Sequence, residues 1–165
     1  VNRRALGAVV IGGLLPAMPA AALDLSPRAF GVRGGLSLDP DQLHGGLHAR
    51  FSGGRRLAVQ PSLELGAGNG VRLLALNADV HFRAGSGRWR PYAGGGPGLS
   101  LYDVTDGVGE EGGLKASLAG SIVVGLARAD GGGRRGQPSG REYMLEARAG
   151  LGDVPDLKVT LGVTF

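Results

Sequence analysis

The chain predicts an all-β fold, a closed antiparallel up-and-down transmembrane β-barrel of about eight strands, and three observations carry that expectation. From Phe30 onward apolar and polar residues alternate in short stretches, the period of an extended strand with two unlike faces. About eight such stretches can be counted, and closed bacterial barrels use even strand numbers. Six aromatic residues stand on the apolar parity at one set of strand ends, where rings favour a membrane–water interface.

At 165 residues the chain is long enough for one sheet with a substantial interior, but not for two cores. It contains no cysteine, which excludes a disulfide framework and thiolate metal sites. Its 33 glycines follow no triplet period and sit among alternating apolar residues, so neither collagen nor wholesale disorder fits. Arg3 and Arg4 precede an apolar run from Ala5 to Leu15, and Ala20, Ala21 and Ala22 supply small residues for cleavage. That run is shorter than the ~20 residues of a transmembrane helix and is broken by Pro16 and Pro19. Residues 1–22 are therefore expected to be a cleaved signal peptide and 23–165 the barrel domain. Removing Arg3 and Arg4 takes the formal charge from +4 to about +2. Without interleaved basic and aromatic residues, nucleic acid is not an expected partner.

The strands follow in order. In the first, Phe30, Val32, Gly34, Leu36 and Leu38 alternate with Gly31, Arg33, Gly35 and Ser37, ahead of a turn at Asp39, Pro40 and Asp41. The second sets Leu43, Leu47, Ala49 and Phe51 against His44, His48 and Arg50. The third has Leu57, Val59, Leu63 and Leu65 against Gln60, Ser62 and Glu64, and ends at the tight-turn residues Gly68, Asn69 and Gly70. The fourth opposes Leu74, Leu76, Ala78, Val80 and Phe82 to Asn77, Asp79, His81 and Arg83. In the fifth, Trp89, Ala93, Leu99 and Leu101 oppose Arg90, Tyr92, Gly94, Gly96, Gly98, Ser100 and Tyr102, and the inward glycines are expected to leave room for other side chains. The sixth places Leu114, Ala116, Leu118, Ile122, Val124 and Leu126 opposite Lys115, Ser117, Ala119 and Ser121. The seventh sets Tyr143, Leu145, Ala147, Ala149 and Leu151 against Glu142, Met144, Glu146, Arg148 and Gly150. The eighth alternates Leu157, Val159, Leu161, Val163 and Phe165 with Lys158, Thr160, Gly162 and Thr164.

If both termini lie on one side of the membrane, odd strands begin there and even strands end there. Phe30, Trp89 and Tyr143 then open odd strands and Phe51, Phe82 and Phe165 close even ones, forming an aromatic girdle at one interface. A soluble periplasmic ligand-binding barrel is the alternative, but its oily face points inward and would leave the girdle unexplained. The polar parity collects an expected lumen charge network of Arg33, His48, Arg50, Glu64, Asp79, Arg90, Glu142, Glu146, Arg148 and Lys158. Such a network persists only if most members pair, since a lone buried ion costs several kcal/mol.

From Phe30 to Phe165 the chain resembles the small eight-stranded outer-membrane β-barrels of Gram-negative bacteria, the broad outer membrane protein A/X-like family. The likeness is carried by the export signal, the alternating strands, the run Arg90, Pro91, Tyr92, Ala93, Gly94, Gly95, Gly96, and the closing Val163, Thr164, Phe165. It implies an outer-membrane location and an insertion signal at Leu161, Val163 and Phe165, read by the outer-membrane insertion machinery. The family's upstream glycine in that signal is replaced here by Thr160. Lipopolysaccharide and outer-membrane lipid are the implied surroundings, with a monomer expected. The implied role is structural or surface-binding in the cell envelope, porin-like in architecture; an open pore is not expected, because about eight strands enclose a space that Tyr92, Tyr102, Arg33, Arg50, Arg148 and Glu146 are long enough to block. Short outer loops count against an adhesin.

A lipid A deacylase-like enzyme is the rival. Such barrels pair His and Ser closely, whereas His81 is followed by Phe82 and Arg83. The chain is expected to be no enzyme, with no catalytic residue, no cofactor and no metal: His44 and His48 lie too far apart on one strand to share an ion unaided. The Asp103–Gly113 loop is acidic without the spacing of a calcium loop. The Ala129–Gly140 turn is long for the periplasmic side; with Arg128, Arg134, Arg135 and Arg141 it could meet phospholipid phosphates or an acidic periplasmic partner, and the reading preferred is a flexible glycine hinge whose charges keep it in water.

Overall fold

A computed structural model describes residues 27–38, 41–53, 56–68, 70–104, 114–130, 140–152 and 157–165. The expected signal peptide, the 105–113 part of the acidic loop and the 131–139 part of the arginine-bearing turn lie outside the described residues, as do Asp39, Pro40 and Asn69.

Eight antiparallel strands run β1 (Ala29–Leu38), β2 (Gln42–Ser52), β3 (Leu57–Gly68), β4 (Val71–Arg83), β5 (Trp89–Val104), β6 (Leu114–Ala129), β7 (Glu142–Leu151) and β8 (Leu157–Thr164). Each pairs with its neighbour in sequence, and β1 pairs with β8, so the barrel is closed. The seam runs from Gly31 opposite Thr164 to Leu38 opposite Leu157. The Phe165 N–H extends it by donating to the Phe30 carbonyl over 2.7 Å. Closure leaves no strand edge whose bare N–H and C=O groups would face hydrocarbon.

The two faces are inverted relative to a water-soluble barrel. Among the described residues, the side chains held inside include Arg33, Arg50, Glu64, Asp79, Glu146, Arg148 and Lys158, whereas Phe30, Leu43, Leu65, Leu118, Leu145 and Leu161 stand exposed outside. The outward band is contiguous from strand to strand: Val32, Leu47, Leu63, Leu76, Leu99 and Leu118 are successive lateral partners. A face of this kind is stable only against hydrocarbon, so the fold is a transmembrane barrel.

Two details differ from the sequence reading. β5 runs on through Asp103 and Val104, because Asp103 lies opposite Arg72, a favourable cross-strand charge pair. Gly94 and Gly96 do not make room for side chains across the lumen: a Cβ at either would run into the carbonyl of Val80 or Ala78 on β4. They permit a close approach of two backbones instead.

Candidate functional site

The lumen receives one residue in two from every strand, and the register arranges these in tiers. At the mouth on the terminus side, Arg50 of β2, Arg83 of β4 and Arg90 of β5 converge on one carboxylate, Glu142 of β7. Arg50 Nη1 lies 2.7 Å from Glu142 Oε1, and Arg90 Nη1 is 3.6 Å from Oε2. Arg50 also donates to Thr164 Oγ1 at 3.2 Å and to Gln60 Oε1 at 3.4 Å. Arg90 lies at the rim and is half-buried, donating Nε–H to the Gly87 carbonyl.

Above the mouth sits an apolar plug. Tyr92 packs with Val123 and Ala127, which are wholly buried, and the His81 ring lies 4.9 Å from the Tyr92 ring. Gly125 makes this possible, since a Cβ there would fall on the Tyr92 ring. Gly125→Val should therefore cost about 1–3 kcal/mol, the range for overpacking a filled interior. Urea unfolding of the folded barrel measures it, and a shift below about 0.5 kcal/mol would mean that the ring moves aside freely.

The middle tier holds three cations and three anions. Arg33 of β1 bonds Glu146 of β7, and its Nε stands 3.3 Å from Glu64 Oε1 without hydrogen-bond alignment. Arg148 grips Asp79 with both terminal nitrogens, at 3.1 and 2.6 Å, and reaches Ser121 at 2.9 Å. Lys158 donates to Glu64 Oε2 at 3.0 Å, and the Tyr92 hydroxyl donates to Glu146 Oε2 at 3.0 Å. The pairing leaves no net charge in this tier, the condition under which buried ions are tolerated.

Toward the far end, His44 Nδ1 stands 3.3 Å from Ser37 Oγ, and its Nε2 is 3.0 Å from Thr160 Oγ1. A serine hydrolase needs a carboxylate where Thr160 stands, to orient the imidazole and stabilise its cation. Ser37 is also only 1% exposed. His48 faces Thr164 at 2.9 Å and takes part in no ion pair among the described residues, so within the expected charge network it belongs to the hydroxyl contacts rather than to the charges. No three of the described His, Asp and Glu side chains converge in a metal-holding group.

Of the expected network, Arg33, His48, Arg50, Glu64, Asp79, Glu142, Glu146, Arg148 and Lys158 are buried in the lumen. The six girdle aromatics lie on the outward face at the terminus end, five of them exposed and Phe51 half-buried. Leu161 and Phe165 point outward, with Val163 half-buried. The sequence reading did not single out Val123 or Ala127, and it gave Thr160 and Thr164 as polar-face residues of the last strand without the histidine contacts they make. A small hollow of about 20 Å³, about the room one water needs, lies beside Ser100, Ser121, Arg148 and Lys158. A far larger concavity, about 670 Å³, is on the outer surface, lined by Ala49, Pro61, Ala78 and Pro97 among leucines, with Pro61 opposite Ala78. The surface it presents is almost wholly apolar.

The crystal structure of the N-terminal β-barrel domain of Pseudomonas aeruginosa OprF matches with a TM-score of 0.58 at 16% identity, over 84% of this chain and 97% of that one. The crystal structure of Neisserial surface protein A (NspA) matches with a TM-score of 0.59 at 11% identity, over 82% and 93%. The fold is that of the small outer-membrane barrels. No protein-family model matches the chain, and no curated protein does. At these identities the likeness carries architecture and transfers no residue role.

Proposed function

We propose that this chain is an integral outer-membrane β-barrel, exported through a cleaved signal peptide, that spans the bilayer as a monomer and serves a structural or surface-binding role in the cell envelope. The observation that carries this reading is the inverted distribution of side chains, with paired charges inside and a continuous apolar band outside. Its surroundings are outer-membrane lipid and lipopolysaccharide, and Leu161, Val163 and Phe165 are the signal for the insertion machinery. His44 meets Ser37 through one ring nitrogen and Thr160, rather than a carboxylate, through the other, which favours this over a lipid-modifying enzyme. Membrane fractionation tests the reading: a heat-modifiable band in the outer membrane supports it, and a soluble periplasmic pool removes it.

The barrel is also proposed not to be an open porin. Tyr92, Val123 and Ala127 fill the lower lumen, and the charge tier fills the middle. In planar bilayers the purified protein should give no conductance, or only small and rare steps. Large, stable single-channel steps would contradict the filled lumen.

A further inference from the structure

Among the described residues, the two ends of the barrel are unequally charged. At the terminus end Arg56, Arg88, Arg128 and Arg141 are exposed around the strand ends, and among the described residues Asp130 lies 3.6 Å from Arg88. Just inside, three arginines share Glu142. At the far end Asp41 and Asp103 balance Arg72 and Lys115 among the described residues. Positive charge is therefore concentrated where the chain enters and leaves the barrel.

These arginines are placed at a particular depth. The Arg128 guanidinium lies over the Trp89 ring, 5.4 Å from its centre, and that of Arg141 lies over Phe165 at 5.8 Å. Trp89 and Phe165 are girdle residues, and rings of a girdle sit where hydrocarbon gives way to headgroups. Cation–π contact thus holds two guanidiniums at headgroup level. A guanidinium presents a planar fork of donors that matches phosphate oxygens. Resting on the membrane-spanning reading above, we propose that this arginine ring gathers anionic phospholipid headgroups, of the phosphatidylglycerol type, into the leaflet that the terminus end faces. Zwitterionic headgroups carry a compensating ammonium and gain less from the same ring.

Trp89 is the protein's single tryptophan, so its emission reports the lipids beside that end alone. The full chain is folded into phosphatidylcholine vesicles containing equal mole fractions of either brominated phosphatidylcholine or brominated phosphatidylglycerol. The anionic lipid should quench Trp89 more effectively, with an apparent preference of about fivefold at low salt. About 0.5 M salt should bring the preference close to one. Combined Arg88→Gln, Arg128→Gln and Arg141→Gln should abolish it, while Arg72→Gln at the far end should leave it unchanged; a heat-modifiable band verifies folding of each variant. Equal quenching of the folded protein by the two lipids overturns the proposal, as does a preference that survives in the triple variant. Equal quenching with salt-sensitive binding of polyglutamate would assign the ring to an acidic protein instead. Absence of quenching by either lipid, with no heat-modifiable band, would remove the membrane-spanning reading and this proposal with it.

Discussion

Replacing Glu64 by leucine is expected to destabilise the barrel by about 3–5 kcal/mol, the cost of leaving a buried ion without its partner. Lys158 donates to Glu64 over 3.0 Å, and Arg33 stands 3.3 Å from the same carboxylate. With Glu64 gone, three buried cations face Asp79 and Glu146 as the remaining carboxylates of this tier. The double variant Glu64→Leu with Lys158→Met restores the balance and should recover most of the loss, because a removed ion pair costs far less than a broken one. Urea unfolding midpoints of the two variants and the parent decide the matter. If the double variant is as unstable as the single one, packing rather than charge dominates at this tier.

Ile122→Arg should cost about 2–4 kcal/mol, the penalty for a cation on the lipid face near the bilayer midplane. Ile122 is 53% exposed and lies six residues along β6 from Arg128, which pairs with Trp89 of the girdle. At ordinary strand rise and tilt those six residues climb roughly 15 Å, near the centre of the apolar band. The same substitution on a barrel in water would change stability by no more than about 0.5 kcal/mol. Heat-modifiable folding yield in vesicles, set against an Arg72→Lys control at the far end, reads the difference. An unchanged yield for Ile122→Arg would mean that this face does not meet hydrocarbon.

The barrel was legible because period-two alternation is a property of each strand by itself and needs no knowledge of its neighbours. Where alternation lapses, so did the reading. Ile122, Val123 and Val124 are consecutive and apolar: the parity of Leu118, Ile122, Val124 and Leu126 turns Val123 inward, but nothing local says that it packs with Tyr92 of the paired strand into an apolar plug. The end of β5 was placed too early because Asp103 looked like loop chemistry, and its partner Arg72 lies on another strand. The inventory of lumen charges could be read from parity, but their partners could not. Glu146 lies 113 residues from Arg33, and Glu64 lies 94 from Lys158. Which charge meets which depends on the stagger of the whole barrel, a quantity that no single stretch contains. The contact of His44 with Thr160, 116 residues apart, was hidden for the same reason.

The ion pairs that cross the lumen join strands that are not neighbours in the sheet: β1 with β3 and β7, β2, β4 and β5 with β7, and β3 with β8. No hairpin contains any of them. A half-built sheet would therefore present bare guanidinium and carboxylate groups on its concave side, and those groups must stay wet until their partners swing round. Drying of the interior and meeting of the first and last strands become a single event. Partly inserted forms are penalised on both counts, by exposed strand edges and by unneutralised charge, so assembly should pass from an open, hydrated curl to the shut barrel with little populated in between.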